Sequence, residues 1–302
     1  MNMDPKIGNV KQICAVYRLA SLDAKGKGQE LMLLANGTLT LLVNLSHCGD
    51  IHQLWHKGEN VSFLTRNGLV AEHHDFLKSF PAGMVYTCGL DAIGGVEGHY
   101  LHGNIHNTPA EVLEVKESEE GILLRLRIED SALFGNKLAL YRTLSLKAGD
   151  SAFRIEDRLV NEGFKDAEYC LLYHCNFGYP FLDERSAMEG DILQSLPRTP
   201  FAKEEEAKSL HMEPPVHDIE ETCYFVKTRD GKMSLTSPNL KLRATVASSL
   251  HDFVEWKSRA SGDYVVGLEP CTSHLDDSLK YRTIEPGKEE THTIEIRFEE
   301  MK

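Results

Sequence analysis

Apolar and polar residues alternate with a period of two along much of the chain. In "ILLRLRIED" (122–130) leucine and isoleucine alternate with arginine and glutamate, as in a strand with one face in water. "LALYRTLSL" (138–146) and "THTIEIRF" (291–298) repeat this pattern. Strands are also predicted by "ICAVYRL", "LTLLVNL", "FRIEDRLV", "YCLLYHC", "TCYFVK", "LKLRATVA", "DFVEWK" and "DYVVGLE". The number of such runs predicts an all-β fold, large and antiparallel.

Helix-length apolar stripes are scarce. The segment "TPFAKEEEAKSLHMEPP" (199–215) is charged and bounded by prolines, which predicts a solvated excursion with one helical turn. The sequence leaves open whether residues 201–215 form a lid, a contact surface or a plain loop. No fixed-period repeat, low-complexity tract or composition break marks a linker, so residues 1–302 are predicted to form a single domain.

One region departs from the strand rhythm. "GMVYTCGLDAIGGVEGHYLHGNIHNTPAEV" (83–112) contains six glycines and three histidines. Glycine lets backbone approach backbone or a ligand closely, and long loops on a rigid β scaffold often carry sites. We therefore predict that this region forms the rim of a pocket.

The charge balance argues against two classes of partner. With 33 Lys and Arg against 46 Asp and Glu, the formal charge of −13 repels nucleic-acid phosphates and anionic lipid. There is no run of about 18 apolar residues, and the first 20 residues lack the features of a signal peptide. We expect a cytoplasmic protein that binds neither nucleic acid nor membrane. A homodimer is compatible with the sequence.

Histidines and cysteines are the candidate metal ligands in this sequence. The seven cysteines are scattered and never form a C-x-x-C pair, which favours reduced, buried thiols over disulfides or a thiolate zinc site. His73 and His74 would point to opposite faces of a strand, whereas His102 and His106 would share an ion only with an unidentified third ligand. No metal is predicted, and a cupin-like metal site stays as the minor alternative.

Other chemistries lack their motifs. The chain contains neither a G-x-S-x-G nucleophile elbow nor a G-x-x-x-x-G-K-[ST] phosphate loop. A carboxylate and histidines remain. Glu269 ends an apolar strand run just before Pro270, where a charge is costly unless it is paired or useful. The alternatives are a salt bridge at the rim for Glu269 and a packed core histidine for His174.

Three short motifs, taken in order, carry a family resemblance. "LHGNIHN" around His102, "YHCNFGYP" around His174 and "GLEPCTS" around Glu269 resemble the galactose mutarotase (aldose 1-epimerase) superfamily. "YTCGLD" and "LYHCNFGYPFLDE" are similar to a bacterial aldose 1-epimerase-like branch whose substrates are mostly unassigned. The resemblance covers nearly the whole chain. It implies a β-sandwich of the supersandwich type with a sugar bound in a cleft on one sheet.

The resemblance also implies roles for these residues. Glu269 would be the general base at the anomeric hydroxyl, His174 the general acid at the ring oxygen, and His102 a second histidine near the sugar. Ordinary pKa values of about 4.3 for Glu and about 6.5 for His suit these tasks near neutral pH. General acid and base groups each contribute about 10²–10⁴-fold, so no cofactor is expected.

The sequence departs from the family pattern around the substrate. The family usually has Tyr-Phe-Asn after the acid histidine, whereas this chain has Asn176, Phe177 and Gly178, so a changed contact between Asn176 and the sugar is expected. The arginine and aspartate that hold sugar hydroxyls in the family have no clean match. Arg66 and Glu221 are the best substitutes, and ordinary surface charges are the alternative for both.

The predicted function is the interconversion of the anomers of an aldose or modified sugar by Glu269 and His174. One alternative keeps the fold but places the proton transfer at another carbon of a sugar. The other is a non-catalytic carbohydrate-binding protein. The sequence does not decide whether the sugar is free, modified or phosphorylated.

Overall fold

The computed structural model describes residues 5–72 and 75–301, apart from the side chain of Asp277. The first ten strands are β1 (Ala15–Ala20), β2 (Glu30–Ala35), β3 (Leu39–Asn44), β4 (Asp50–His56), β5 (Glu59–Asn60), β6 (Tyr86–Leu90), β7 (Glu111–Ser118), β8 (Gly121–Ser131), β9 (Lys137–Lys147) and β10 (Ala152–Asn161). They are followed by β11 (Ala167–Phe177), β12 (Ala187–Glu189), β13 (Ile192–Pro197), β14 (Thr222–Thr228), β15 (Lys232–Ser237), β16 (Leu242–Ser248), β17 (Asp252–Ala260), β18 (Asp263–Cys271), β19 (Arg282–Ile284) and β20 (Glu289–Glu300). The α-helices in the described ranges are α1 (Phe76–Ser79) and α2 (Pro200–Glu204), and there are short 3-10 helices at Val10–Gln12, Ala24–Gly26, Ile105–Asn107, Glu206–Lys208 and Asp276–Ser278.

The strands form three antiparallel sheets. One has the order β1-β2-β3-β4-β5, and the largest has the order β12-β15-β16-β20-β10-β9-β8-β7. The third has the order β13-β14-β17-β18-β11-β19, with β6 paired to β11. Apolar side chains from all three sheets form one buried cluster. The predicted large antiparallel all-β fold is confirmed.

Each of the eleven predicted runs overlaps a strand, whereas nine of the described strands, β6 among them, correspond to no predicted run. Strand β6 was missed because it lies inside the glycine-rich region that was predicted as a loop. Its five residues, Tyr86–Leu90, are all buried, so neither face carries the polar residues that produce alternation. No helix in the described ranges is long and apolar enough to span a membrane.

A buried arginine joins the three sheets. Arg142 of β9 donates to both carboxylate oxygens of Asp157 on β10, at 2.9 and 2.7 Å, and to Asp50 on β4 at 3.1 Å. It also donates to Thr87 of β6 at 2.9 Å. Asp157 accepts a further hydrogen bond from Tyr173 of β11. The guanidinium is fully enclosed, and its charge is offset by these carboxylates.

The charged excursion does contain the predicted helical turn, α2, which Thr199 caps by accepting from the Ala202 amide. The segment 199–215 is not a freely solvated loop, because residues of β17 bind it. The ammonium of Lys257 on β17 donates to the backbone carbonyls of residues 208, 209 and 211. Arg259 pairs with Glu205 at 2.8 Å. The segment is therefore anchored on the sheet that contains β17.

Candidate functional site

Strand register brings His174 and Glu269 together. Strands β11 and β18 are antiparallel neighbours, with Leu172 paired to Cys271 and Cys175 paired to Leu268. The same register places His174 opposite Glu269, although the two residues are distant in sequence. Their contact is direct, because His174 Nδ1 lies 3.0 Å from Glu269 Oε1.

Asn176 determines the protonation of the His174 ring. Its Nδ2 donates to the carbonyls of Gly83 and His174, both at 3.0 Å, which fixes the amide orientation. Asn176 Oδ1 then lies 2.5 Å from His174 Nδ1. An amide oxygen only accepts, so Nδ1 carries a proton. Nε2 is left as the ring nitrogen that can exchange a proton with a ligand.

Burial shifts both groups towards their neutral forms. Burial raises the pKa of the Glu269 carboxyl well above its usual value; Glu221 adds to this rise, and Arg198 opposes it. Burial lowers the pKa of His174 to about 3; His102 adds to this decrease, and the hydrogen bond to Asn176 opposes it. Glu269 Oε1 accepts no hydrogen bond from the described residues, although it lies 3.0 Å from His174 Nδ1.

The glycine-rich region places His102 beside this pair. The ring centroids of His102 and His174 are 5.7 Å apart. The His102 amide donates to the Gly94 carbonyl, its carbonyl accepts from the Gly89 amide, and its Nδ1 accepts from the Gly94 amide at 3.3 Å. A neutral His102 therefore presents an Nε2–H donor. At Gly103, with φ +75°, a β-carbon would collide with the Gly89 carbonyl, which explains the need for glycine there.

These residues line one cleft of about 600 Å³ on the sheet that contains β11, β18, β17 and β14. His102, His174, Glu269, Arg66 and Glu221 all contribute to its surface. The predicted pocket rim is thus present, with Gly94, Leu101 and His102 at the cleft. The volume lies within the range of small-molecule sites.

The other predicted sugar-binding residues, Arg66, Glu221 and Asn176, differ in burial and in their hydrogen-bond partners. Arg66 is exposed and makes no hydrogen bond or ion pair within the described ranges. Glu221 accepts a hydrogen bond from Trp256 Nε1 at 2.7 Å and lies 3.9 Å from Arg198. Asn176 is fully buried and does not line the cleft. Its amide contacts His174 and Gly83, and the contact with a sugar expected from the sequence stays a prediction.

Within residues 5–72 and 75–301, the histidines do not gather into a metal site. His102 lines the cleft, whereas His106 packs against Tyr86, with ring centroids 4.4 Å apart. Among the residues that the structure describes, no group of three His, Cys, Asp or Glu side chains is arranged to hold a metal ion. His73 and His74 lie outside the described residues. All seven cysteines are buried and free.

Residues 26–298 match the sequence family described as a domain of unknown function, DUF4432. The chain belongs to the DUF4432 family. No match is found among curated proteins. Because the family match spans most of the chain, the cleft lies entirely within the DUF4432 domain.

Solved structures define the fold of this DUF4432 protein. A candidate aldose 1-epimerase from Klebsiella pneumoniae matches with a TM-score of 0.86 and 19% identity, over 94% of this chain and 83% of its own. A galactose mutarotase-like protein from Clostridium acetobutylicum matches with a TM-score of 0.73 and 14% identity, over 96% and 100%. A candidate mutarotase from Salmonella typhimurium matches at 0.68 and 13%, over 98% and 97%. The fold is the galactose mutarotase-like sandwich, as the resemblance implied.

Trp256 and Arg198 are among the cleft residues of the DUF4432 chain that the sequence reasoning missed. Trp256 lies on β17, beside β18, and its ring centroid is 5.1 Å from that of His174. Arg198 follows β13, and its Nε donates to Asp276 at 2.6 Å. The alternation in "DFVEWK" places Trp256 on the same face as Val254, but only the strand register shows that this face is the cleft. Arg198 gave no sequence signal.

Proposed function

We propose that this DUF4432 protein is an enzyme that interconverts the anomers of an aldose or modified sugar. The observation that supports this most is the contact between His174 and Glu269, a base and an acid 3.0 Å apart in a cleft of sugar-binding size. Anomer exchange requires one group that takes a proton and one that gives a proton, placed at adjacent oxygens. No cofactor takes part in this scheme.

The reaction consists of two coupled proton transfers that later run in reverse. Glu269 takes the proton of the anomeric hydroxyl while His174 Nε2 gives a proton to the ring oxygen. The bond between the anomeric carbon and the ring oxygen breaks as the carbonyl forms. After rotation about the next carbon–carbon bond, His174 takes its proton back and Glu269 returns the other. The ring closes on the opposite face, and both groups regain their starting forms.

The starting form for this order is a carboxylate beside an imidazolium. Burial favours the neutral pair, which is a protonated Glu269 beside a neutral His174. This neutral pair carries the same total number of protons as the carboxylate–imidazolium pair. We infer that the bound sugar shifts the proton by offering hydroxyl donors to Glu269. Arg198 acts in the same direction, since its positive charge lowers the pKa of Glu269.

The remaining cleft residues fit the role of holding the sugar. His102 presents its Nε2–H towards a sugar oxygen, and the unpaired guanidinium of Arg66 offers further donors. Glu221 holds the Trp256 indole by accepting its Nε1–H, and the carboxylate can still accept a hydrogen bond from a sugar hydroxyl. Asn176 holds the His174 tautomer from below the cleft.

The test is anomer exchange measured by NMR on a panel of aldoses, deoxy sugars, acidic sugars and sugar phosphates. Wild type should accelerate exchange of at least one sugar, and Glu269→Gln and His174→Ala should each lose that acceleration while staying folded. Glu120→Gln and His251→Ala change exposed residues outside the cleft and serve as controls.

Two outcomes would overturn the proposal. Solvent deuterium appearing on a product carbon would indicate an isomerase acting at another carbon, because anomer exchange leaves carbon-bound hydrogens in place. Sugar binding that survives Glu269→Gln, with no turnover by either protein, would indicate a binding protein.

A further inference from the structure

The cleft extends well beyond the two groups that exchange protons. On β17 the alternating residues Val254, Trp256, Ser258 and Ala260 all line it. On β18 it reaches Asp263, six residues before Glu269 in the strand. Six residues of extended chain span about 20 Å, which is several times the width of one sugar ring. A single ring held by Glu269 therefore leaves part of the cleft unfilled.

Trp256 separates the two parts of the cleft. It pairs with Gly267 across the β17–β18 ladder, and its ring atom Cε3 lies 3.2 Å from where a β-carbon of Gly267 would be. The indole thus lies over the neighbouring strand, and Glu221 fixes it through the 2.7 Å hydrogen bond to Nε1. An aromatic ring held in this way offers an apolar surface to the carbon-bound hydrogens of a sugar.

The far part of the cleft carries polar groups suited to hydroxyls. The Asp263 carboxylate is exposed and, within the described ranges, has no hydrogen-bond or ion-pair partner. The Ser258 hydroxyl lies on the same lining. Among the described residues its one hydrogen bond is accepted from the Ala260 amide at 3.2 Å, so its own proton is available. A carboxylate can accept from two neighbouring hydroxyls at once. It would repel a phosphate or another anion at this position.

The wall of this far part is firmly attached. Ile219 lines the cleft from the segment that precedes β14. Near its start, Val216 donates its amide to the Arg259 carbonyl at 2.8 Å and accepts from the Ser261 amide at 3.0 Å. These bonds join the segment to the β17–β18 hairpin. Two sides of the far part, the β17–β18 hairpin and the segment before β14, are therefore held together by backbone hydrogen bonds.

We propose that the cleft beyond Trp256 binds a second glycosyl residue. The preferred substrate is then a reducing disaccharide, with its reducing ring at Glu269 and His174 and its other ring between Trp256 and Asp263. This inference rests on the proposed function, since it assumes that the anomeric centre lies at the Glu269–His174 pair.

The experiment compares kcat/KM for anomer exchange of glucose with that of maltose, cellobiose, lactose and melibiose, which all end in a reducing glucose. At least one disaccharide should exceed glucose by about tenfold. Asp263→Asn and Ala260→Trp, which remove the carboxylate and fill the far part, should abolish this preference and leave the glucose rate unchanged. Asp166→Asn, an exposed change outside the cleft, should behave as wild type.

Two results would overturn the inference and can be told apart. If glucose is accelerated and no disaccharide exceeds it, or if Ala260→Trp keeps the preference, the second subsite is wrong while the proposed function stands. If the protein accelerates anomer exchange of neither glucose, nor any disaccharide, nor any sugar of the wider panel, the proposed function is wrong. The second subsite, which rests on that function, is then wrong as well.

Discussion

The Glu269 carboxylate occupies the space that a β-carbon on Gly267 would fill. The two residues are two positions apart on β18, so their side-chain directions coincide. Oε1 of Glu269 would be well inside van der Waals contact with such an atom, whereas no backbone clash is created. The absence of a side chain at residue 267 therefore sets the position of the proposed catalytic carboxylate.

Gly267→Ala should lower kcat/KM by about 10²-fold, because it displaces the carboxylate by roughly an ångström from its reacting position. Residue 267 does not need a positive φ, so the variant should fold. Anomer-exchange rates and thermal unfolding would check this, with Gly8→Ala, which meets only an ordinary contact, as the matched control. Unchanged kcat/KM in Gly267→Ala would show that the position of the carboxylate is not critical.

Asn176→Leu should lower kcat while leaving KM close to wild type. The side chain positions His174 and does not line the cleft, so its loss misaligns the ring without removing a sugar contact. Stability should fall by about 1–3 kcal/mol, because two buried carbonyls lose their donor. Steady-state kinetics and urea unfolding measure both effects. A variant whose KM rises while kcat is kept would instead support the sugar contact expected from sequence.

The pH profile of kcat/KM should show no acid limb above about pH 5, because the pKa of His174 is lowered to about 3. In this range the Glu269–His174 pair holds one titratable proton in addition to the Nδ1–H, on either Glu269 or His174 Nε2. A second proton binds only at low pH, because the pKa of His174 is lowered to about 3. The single proton leaves only well above the ordinary carboxyl range, because burial raises the pKa of Glu269. An acid limb with an apparent pKa near the ordinary histidine value of about 6.5 would contradict this account.

Arg142→Met should destabilise the fold by about 3–5 kcal/mol, because it leaves Asp157 and Asp50 buried without their cationic partner. Arg142 does not line the cleft, so any folded fraction should keep its kcat/KM. Denaturant unfolding gives the free energy. Arg154→Met, which removes a more exposed arginine from β10, is the matched control and should change stability by less than about 1 kcal/mol.

Alternation was sufficient to predict the fold class because most strands have one face in the core. In the structure Arg142 lies on the apolar face of β9, between Leu140 and Leu144, and its carboxylate partners come from other strands. Strand β6 and the assignment of strands to sheets were not predictable, since buried strands lack alternation and register is a property of distant pairs.

Part of the candidate site could likewise be predicted from the sequence, and part is visible only in the structure. His102, His174 and Glu269 were found through short motifs, and they lie in one cleft. The motif around His174 does not show that the amide of Asn176 donates to the carbonyls of Gly83 and His174 from the buried side. Trp256 became recognisable only from its pairing with Gly267.

The central claim is that Glu269 and His174 act as one proton-exchanging unit. The most direct measurement is the anomer-exchange rate of Glu269→Gln, His174→Gln and the double variant on a sugar that wild type turns over. Each single variant should lose about 10²–10⁴-fold, and the double variant should be no slower than the slower single variant. Losses that multiply in the double variant, or a single variant with the wild-type rate, would contradict the claim.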